Sequence, residues 1–351
     1  MNLNLLRENI DRIDRQILKL LNDRMQQAAM IRKFKEKIED KEREQKVLNK
    51  VTNSPHSLLD SAFIEKLYKI IIEESKHIQE ASHTVIGFQG EPGAYSEEAA
   101  KKWRGDVVAV PCLEFADVFE GVEKGLFDYG IVPVENSLGG SIGDVNNLLL
   151  KNNTKVVSAI EIIISHCFMA LPGSDYREIR TVYSHIQALS QCRGFLNRNK
   201  LDPVTYYDTA GAAKMISGKQ LKGAGAIANK LAANLYNLEI IKENIQDKDD
   251  NRTRFFIIAK EDNVSEKGEK CSIVFFTEHK SGTLFSVLKI FADKGINLTR
   301  IESIPNGAGE YAFFLDFVFD EDNPEIHRLF EEVKKITTGF KVLGFYHERS
   351  V

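Results

Sequence analysis

The sequence predicts a multidomain chain in three parts: an all-α segment over residues 1–82, an α/β segment over 83–262, and an α+β segment of ferredoxin-like order over 270–351. Three observations carry this reading. From Leu3 to about Ile38 there is neither Gly nor Pro, and Leu6, Ile10, Ile13, Ile17, Leu20 and Leu21 recur at helical spacing. At Thr84 the pattern changes to short β-rich runs alternating with amphipathic helices. After the polar stretch Lys260 to Lys270, the order becomes strand, helix, strand, strand, helix, strand.

At 351 residues the chain exceeds one ordinary core, and its 43% hydrophobic and 28% charged residues are those of a globular protein. No apolar run reaches the roughly 18 residues of a membrane span, and the segment from Met1 to Arg7 lacks a signal-peptide core, so a cytoplasmic protein with no membrane partner is expected. A net charge of -4 argues against a nucleic-acid partner, because duplex binding rests on a basic surface. Anionic ligands would have to be met by local Arg and Lys. Cys112, Cys167, Cys192 and Cys271 are scattered, without zinc spacing or a C-x-x-C pair, and read as reduced thiols.

The first helix, about 36 residues and roughly 54 Å long at 1.5 Å per residue, is too long to stand alone in water. Further helices should run from Lys41 to Val51 and from Leu59 to about Ala81, and an intertwined dimer would bury the long one. Eleven residues separate Arg24 from Lys35, which places them within about 20° on one helix face, while Arg7 lies about 100° away. Asp40, Arg43 and Glu44 share a face by i, i+3, i+4 spacing, and Ser75 and Gln79 by i, i+4. Solvated helix faces give any one of these pairs, so they carry weight only as a set.

As a set they resemble the all-helical chorismate mutase family. That resemblance implies that Arg7 reaches into the other protomer's pocket while Arg24, Lys35, Asp40, Arg43, Glu44, Ser75 and Gln79 line their own. The [3,3] rearrangement of chorismate needs no nucleophile, metal or cofactor. It needs an extended dicarboxylate held in its reactive shape and charge on the breaking ether oxygen stabilised. Arg7, Arg24 and Arg43 would hold the carboxylates, Lys35 and Gln79 would donate to the ether oxygen, and Glu44, Asp40 and Ser75 would fix the ring hydroxyl and the arginines. Only four residues separate Lys35 from Asp40, fewer than the family places there, so either the first helix unwinds early or the second is displaced.

In the middle segment, strands are expected at Thr84 to Phe88, Val107 to Val110, Tyr129 to Val132, Val156 to Ile164, Thr181 to Tyr183, Ala224 to Ala228 and Phe255 to Ala259. Helices should begin near Ser96, Glu114, Ile142, Gln187, Ala210 and Asn229. No G-x-G-x-x-G follows the first strand, which disfavours a dinucleotide, and His166 and His185 have no ligand spacing for a metal. In Asn251-Arg252-Thr253-Arg254-Phe255-Phe256 a hydroxyl is flanked by two guanidinium groups, which suits binding and protonating an anionic substrate.

Together with Gly90-Glu91-Pro92-Gly93-Ala94-Tyr95-Ser96, Val132-Pro133-Val134-Glu135-Asn136-Ser137 and Tyr183-Ser184-His185-Ile186-Gln187, this stretch resembles the signature set of prephenate dehydratases. The resemblance implies two lobes like those of a periplasmic binding protein, with the site in the cleft between them. It implies substrate contacts from Asn136, Ser137, Ser184, His185, Gln187, Gln191, Thr209 and Arg254, with Thr253 as the acid or proton relay. Loss of the ring hydroxyl together with CO2 aromatises the ring, so the enzyme has only to protonate the leaving group and let the carboxylate shed its charge. Ile186 stands where the family usually has Pro.

The C-terminal segment resembles the ACT regulatory domain of these enzymes. Ser281-Gly282-Thr283-Leu284 stands in place of Gly-Ala-Leu, and Glu302-Ser303-Ile304-Pro305 in place of Glu-Ser-Arg-Pro. In the family these stretches form a phenylalanine site at a dimer interface, which implies Gly282, Thr283, Leu284, Glu302 and Ser303 as effector contacts.

The resemblance therefore spans nearly the whole chain and implies a bifunctional enzyme of phenylalanine biosynthesis, a homodimer or homotetramer, that acts on chorismate and prephenate without a cofactor. Two other readings stay open on sequence: a dehydratase whose helices only dimerise, and an amino-acid-sensing binding protein.

Overall fold

The structure, a computed structural model, describes residues 3–55, 57–261, 268–305, 310–319 and 325–351. The expected helix start at Asn323 and positions 262–267 of the polar linker lie outside the described residues. The chain divides into two compact units, Met1–Val85 with Asp106–Val110, and Ile86–Gly105 with Pro111–Val351.

In the first unit, α1 (Leu3–Ile31) is followed by a 3-10 turn (Arg32–Phe34), α2 (Lys41–Thr52) and α3 (Ser61–Glu80). The first helix therefore ends about seven residues before the expected Ile38. Lys35 is already extended, with φ -109° and ψ 130°, and Arg32 Nη1 donates to its carbonyl at 2.8 Å. The common helix face expected for Arg24 and Lys35 does not exist, because the short stretch before Asp40 is absorbed by unwinding α1. Asp40 caps α2 by accepting from Arg43 N at 2.9 Å, and Asp60 caps α3 through Phe63 N at 2.9 Å. Ala28, Ala29, Ile64, Ile71 and Ile72 are buried, but Ile10, Ile13, Ile17 and Leu20 on the first helix are between 48% and 67% exposed.

The second unit contains β1 (Val85–Gln89), whose first residue falls in the other unit, α4 (Tyr95–Trp103), β2 (Val108–Cys112), likewise divided, and α5 (Phe115–Glu123). The chain continues through β3 (Tyr129–Asn136), β4 (Gly140–Ser141), α6 (Gly143–Lys151), β5 (Lys155–Ile163), β6 (Cys167–Ala170) and β7 (Thr181–Ser184). Next come α7 (Ile186–Gln191), α8 (Arg193–Arg198), β8 (Asp202–Thr205), α9 (Thr209–Lys219), β9 (Ala224–Ala228), α10 (Lys230–Leu235), β10 (Glu239–Lys242) and β11 (Arg252–Ala259). One sheet has the order β10-β6-β9-β7-β8, and its core gathers Phe168, Val182, Leu189, Leu196 and Ile227. Every expected strand and helix start of this segment is present within a few residues, whereas β4, β6, β8, β10 and α8 have no counterpart in the sequence-based expectation.

The C-terminal part runs β12 (Lys270–Glu278), α11 (Thr283–Asp293), β13 (Leu298–Pro305), β14 (Glu310–Val318), α12 (Glu325–Ile336) and β15 (Gly339–Ser350). This is the ferredoxin-like order expected. The last strand is longer than the expected Lys341 to Tyr346. Its first part pairs with β12, and His347 to Ser350 pair in parallel with Ser158 to Glu161 of β5. A continuous sheet results, with the order β13-β14-β12-β15-β5-β11-β3-β1. β13 pairs only with β14 on this path, which makes it an edge strand.

Candidate functional site

β11 is the strand on which the second unit's site is built. It lies between β3 and β5, and its register sets Thr253 opposite Asn136 and Ile162. Side chains alternate across a strand. Thr253 and Phe255 therefore face a cleft of about 620 Å³, a volume suited to a small metabolite. Arg254 and Phe256 face the other way, and the Arg254 guanidinium sits 4.9 Å from the Phe256 ring centre.

Of the residues expected at this site, Asn136, His185, Gln187, Gln191, Thr209 and Thr253 line the cleft. Ser137 does not: its hydroxyl donates to the Asp250 carbonyl at 3.2 Å and accepts from Arg252 N at 2.9 Å, which ties down the entry to β11. Ser184 is fully buried and donates to the Ile227 carbonyl at 2.6 Å, holding two strands together.

Arg254 is also elsewhere. It is 8% exposed and bonds to Asp316, to Glu348 and to Tyr346 Oη, the last at 2.9 Å. Burial pulls its pKa down, but Asp316, Tyr346 and Glu348 outweigh that and leave it raised. Ser272 Oγ completes the cluster, 2.6 Å from both Asp316 Oδ1 and Tyr346 Oη. The guanidinium that the motif sets beside Thr253 thus joins β11 to the C-terminal strands and does not reach the cleft.

Four helices begin on the cleft: α4 at Tyr95, α6 at Gly143, α7 at Ile186 and α9 at Thr209. Their first-turn N–H groups are where an anion is best met, since no intrahelical acceptor takes them. His185 Nδ1 accepts from Gln187 N at 3.3 Å and Asp208 Oδ1 from Gly211 N at 2.7 Å, so α7 and α9 are already capped. No side chain caps α4 or α6. Among the described lining residues there is neither Lys nor Arg, contrary to the expectation that local cations would receive the substrate. Burial and Glu91 raise the pKa of Asp208, against the pull of Gly211 N.

The Thr253 hydroxyl is oriented by Asn136. Asn136 Oδ1 accepts from Leu138 N at 3.1 Å and Gly139 N at 2.7 Å, which identifies its other atom as the NH2 group. That group lies 2.8 Å from Thr253 Oγ1 and 2.8 Å from Asn251 Oδ1. Thr253 Oγ1 therefore accepts from Asn136 and keeps its own proton for the cleft. Residues that the sequence reading did not assign to this site include Tyr95, His166 and Tyr207 on the cleft wall and, behind it, fully buried Asn251.

In the helical unit the structure brings together part of the expected set. Arg24 bonds to Ser75 Oγ, Ser75 Oγ donates to the Ile71 carbonyl at 2.7 Å, and Gln79 Nε2 donates to the Ser75 carbonyl at 3.0 Å. Glu44 pairs with Lys76 at 3.0 Å. Gln79 Oε1 is buried with no partner among the described residues. Arg7, Asp40 and Arg43 are exposed and Lys35 half-buried.

In the C-terminal part, Gly282 adopts φ 88°, a left-handed conformation that glycine alone takes readily, and opens α11. Thr283 Oγ1 donates back to the Lys280 carbonyl at 3.0 Å, and Leu284 packs on the core. Glu302, Ser303 and Ile304 pair with Phe314, Phe313 and Ala312 on the edge strand β13. The Gly282 turn follows the end of β12, while Glu302 on β13 stands opposite Phe314 of β14, which in turn stands opposite Val274 of β12, so β14 lies between the two strands that carry them.

Three family profiles match in order: chorismate mutase type II over residues 6–80, prephenate dehydratase over 86–263 and the ACT domain over 272–337. The bifunctional chorismate mutase/prephenate dehydratase of Aquifex aeolicus is 34% identical over 354 residues, covering 97% of this chain and 96% of that one. The chain belongs to the bifunctional chorismate mutase/prephenate dehydratase family. As such an enzyme it is an isomerase and a lyase of phenylalanine biosynthesis, turning chorismate into prephenate and prephenate into phenylpyruvate, water and CO2. It is also similar to arogenate dehydratase 2 of Petunia hybrida, 39% identical over 285 residues, covering 76% of this chain and 72% of the relative. Among solved structures it resembles a prephenate dehydratase from Arthrobacter aurescens in complex with L-Phe. The TM-score is 0.70 at 25% identity, over 75% of this chain and 90% of that one. Among the described residues no helix is long and apolar enough to cross a membrane.

Proposed function

We propose that the cleft of the second unit is the dehydratase site and that Thr253 is its acid. The observation that carries this reading is the Asn136 amide 2.8 Å from Thr253 Oγ1, which makes that oxygen an acceptor within the protein and leaves its proton to the substrate. The ring carboxylate's C–C electron pair moves into the ring, CO2 leaves, and the hydroxyl departs as water on taking the Thr253 proton. A threonine is a weak acid. The Asn136 N–H stabilises charge building on Oγ1 until a proton returns from bulk solvent, the one proton that the overall reaction consumes. The uncapped starts of α4 and α6 would receive the carboxylates of prephenate, with Gln187, Gln191, His185 and Thr209 orienting it. Thr253→Ala should lower dehydratase turnover at least about 100-fold, as loss of a general acid typically does, with chorismate conversion unchanged. Near-wild-type phenylpyruvate formation by that variant would sink the assignment.

The mutase site, in the same reading, forms on Arg24, Glu44, Ser75 and Gln79, with Lys35, Asp40 and Arg43 from the same chain and Arg7 from a second copy. Gln79 Oε1, unpartnered among the described residues, and the exposed stripe of Ile10, Ile13 and Ile17 support a homodimer or a larger assembly. L-Phenylalanine would bind between a Gly282 turn and a Glu302 edge strand of different copies and regulate the enzyme. Four cysteines without a disulfide fit a reducing compartment such as the cytoplasm.

A further inference from the structure

A chain of side-chain hydrogen bonds runs from Thr253 through fully buried Asn251 and back to the wall of the same cleft, where Gln191 meets a histidine that is itself almost wholly buried. Asn136 Nδ2 donates to Asn251 Oδ1 at 2.8 Å, and Asn251 Nδ2 donates to Gln191 Oε1 at 3.0 Å. Gln191 Oε1 lies 2.8 Å from His166 Nε2, and His166 Nδ1 lies 2.8 Å from Tyr95 Oη. His166 is 2% exposed and Asn251 fully buried, so a wrong polarity is costly at these two residues.

The direction of every bond follows from one end. The N–H groups of Leu138 and Gly139 fix which atom of Asn136 is oxygen, its NH2 then fixes Asn251, and Asn251 fixes Gln191. Gln191 Oε1 takes a hydrogen from Asn251 and can face His166 Nε2 at 2.8 Å only if that nitrogen also carries one. His166 is therefore the Nε2–H tautomer, with Nδ1 open to the Tyr95 hydroxyl. Tyr95 Oη is equally near, at 2.8 Å, to the Ser165 carbonyl. The opposite tautomer would set two lone pairs against each other. Relieving them would turn Gln191, then Asn251, then Asn136, and would break both backbone bonds to Asn136. Asn136 would then show its carbonyl oxygen to Thr253, and the Thr253 proton would be spent on it.

We infer that His166 is a positioning residue for the dehydratase reaction: its Nε2–H holds the chain through Gln191, Asn251 and Asn136 in the polarity that leaves the Thr253 proton facing the cleft. The inference rests on the assignment of Thr253 as the acid, and its test separates the two.

In 15N-histidine NMR of the full chain, His166 should show a protonated Nε2 and an unprotonated Nδ1 at neutral pH, whatever Thr253 does. His166→Met, which fills the space without a donor, should lower kcat for prephenate about 10- to 100-fold with little change in KM, less than loss of the acid itself. His166→Gln can place an N–H near the old Nε2 and should recover most of that loss. In a Thr253→Ala background, His166→Met should cost little more, because the two act as one unit. A protonated Nδ1 with bare Nε2 would overturn the inference. So would a His166→Met enzyme within twofold of wild type, no recovery by His166→Gln, or a full multiplication of the two losses. Unchanged turnover in Thr253→Ala alone would instead remove the acid assignment beneath it.

Discussion

The second unit closes its polar groups on one another within a single chain, while the helical unit leaves both an apolar stripe and most of its charged residues open. Asn136, Asn251, Gln191 and His166 satisfy each other around the cleft, and Arg254, Asp316, Tyr346 and Ser272 do the same behind β11. In the helices, Ile10, Ile13 and Ile17 face solvent, and Gln79 Oε1 is buried without a partner among the described residues. Buried polar groups are expensive unless paired, and exposed apolar stripes at helical spacing want a cover. That difference is what the proposed sites require: a dehydratase cleft built from one chain and a mutase site completed by a second copy.

The largest expected effect comes from breaking the closed region. Arg254→Met leaves Asp316, 1% exposed, as a buried charge without its main partner. Removing one member of such a pair typically costs about 3–5 kcal/mol, more than the pair itself contributes. Thermal unfolding of the second unit should fall accordingly, while chorismate conversion by the helices changes little at temperatures where the variant stays folded. A variant with wild-type stability would mean that the cluster is solvated in solution.

Breaking the open region should act the other way round. Ile17→Glu puts a charge into the exposed stripe of α1, where Ile17 is 48% exposed. If a second copy covers that stripe, chorismate turnover should fall at least about tenfold, since burying an unpaired charge costs several kcal/mol, and dehydratase turnover should hold. Sedimentation alongside both assays decides it: equal loss of both activities would contradict the contrast drawn between the units.

How much of this was legible in the sequence follows the same division. Thr253, Asn136, Gln187 and Gln191 stood out because they sit within a motif or one helical turn from it, and local spacing survives folding. Arg254 was misplaced because its strand was read as starting at Phe255. Extending it back to Arg252 would have put Thr253 and Arg254 on opposite faces by period-2 alternation. The early end of α1 has no Gly or Pro to announce it, and only the four residues between Lys35 and Asp40 hinted at it. His166 was unreadable, because its meaning lies in partners 71 and 25 residues away in the chain.

The smallest effect is expected at the third open surface, the edge strand β13. Ile304 is half-buried there and faces Ala312 in the register, at the end of the sheet shared with the Gly282 turn. It has no group to hold a carboxylate, and a hydrogen bond to a charged group is typically worth about 1.5 to 3 kcal/mol, or roughly 10- to 150-fold in affinity. Phenylalanine should therefore bind weakly to this chain, and Ile304→Arg should tighten it by about tenfold, the low end of that range because an exposed edge screens the charge. Regulation requires different affinities in the active and inactive arrangements. Since the Gly282 turn and Glu302 of one chain stand two strands apart, tighter binding should come with a firmer assembly, seen as a lower dissociation constant between copies when phenylalanine is present. Calorimetry that finds no phenylalanine binding at millimolar concentration in either variant, with dehydratase rates unmoved, would leave this edge an assembly surface and nothing more.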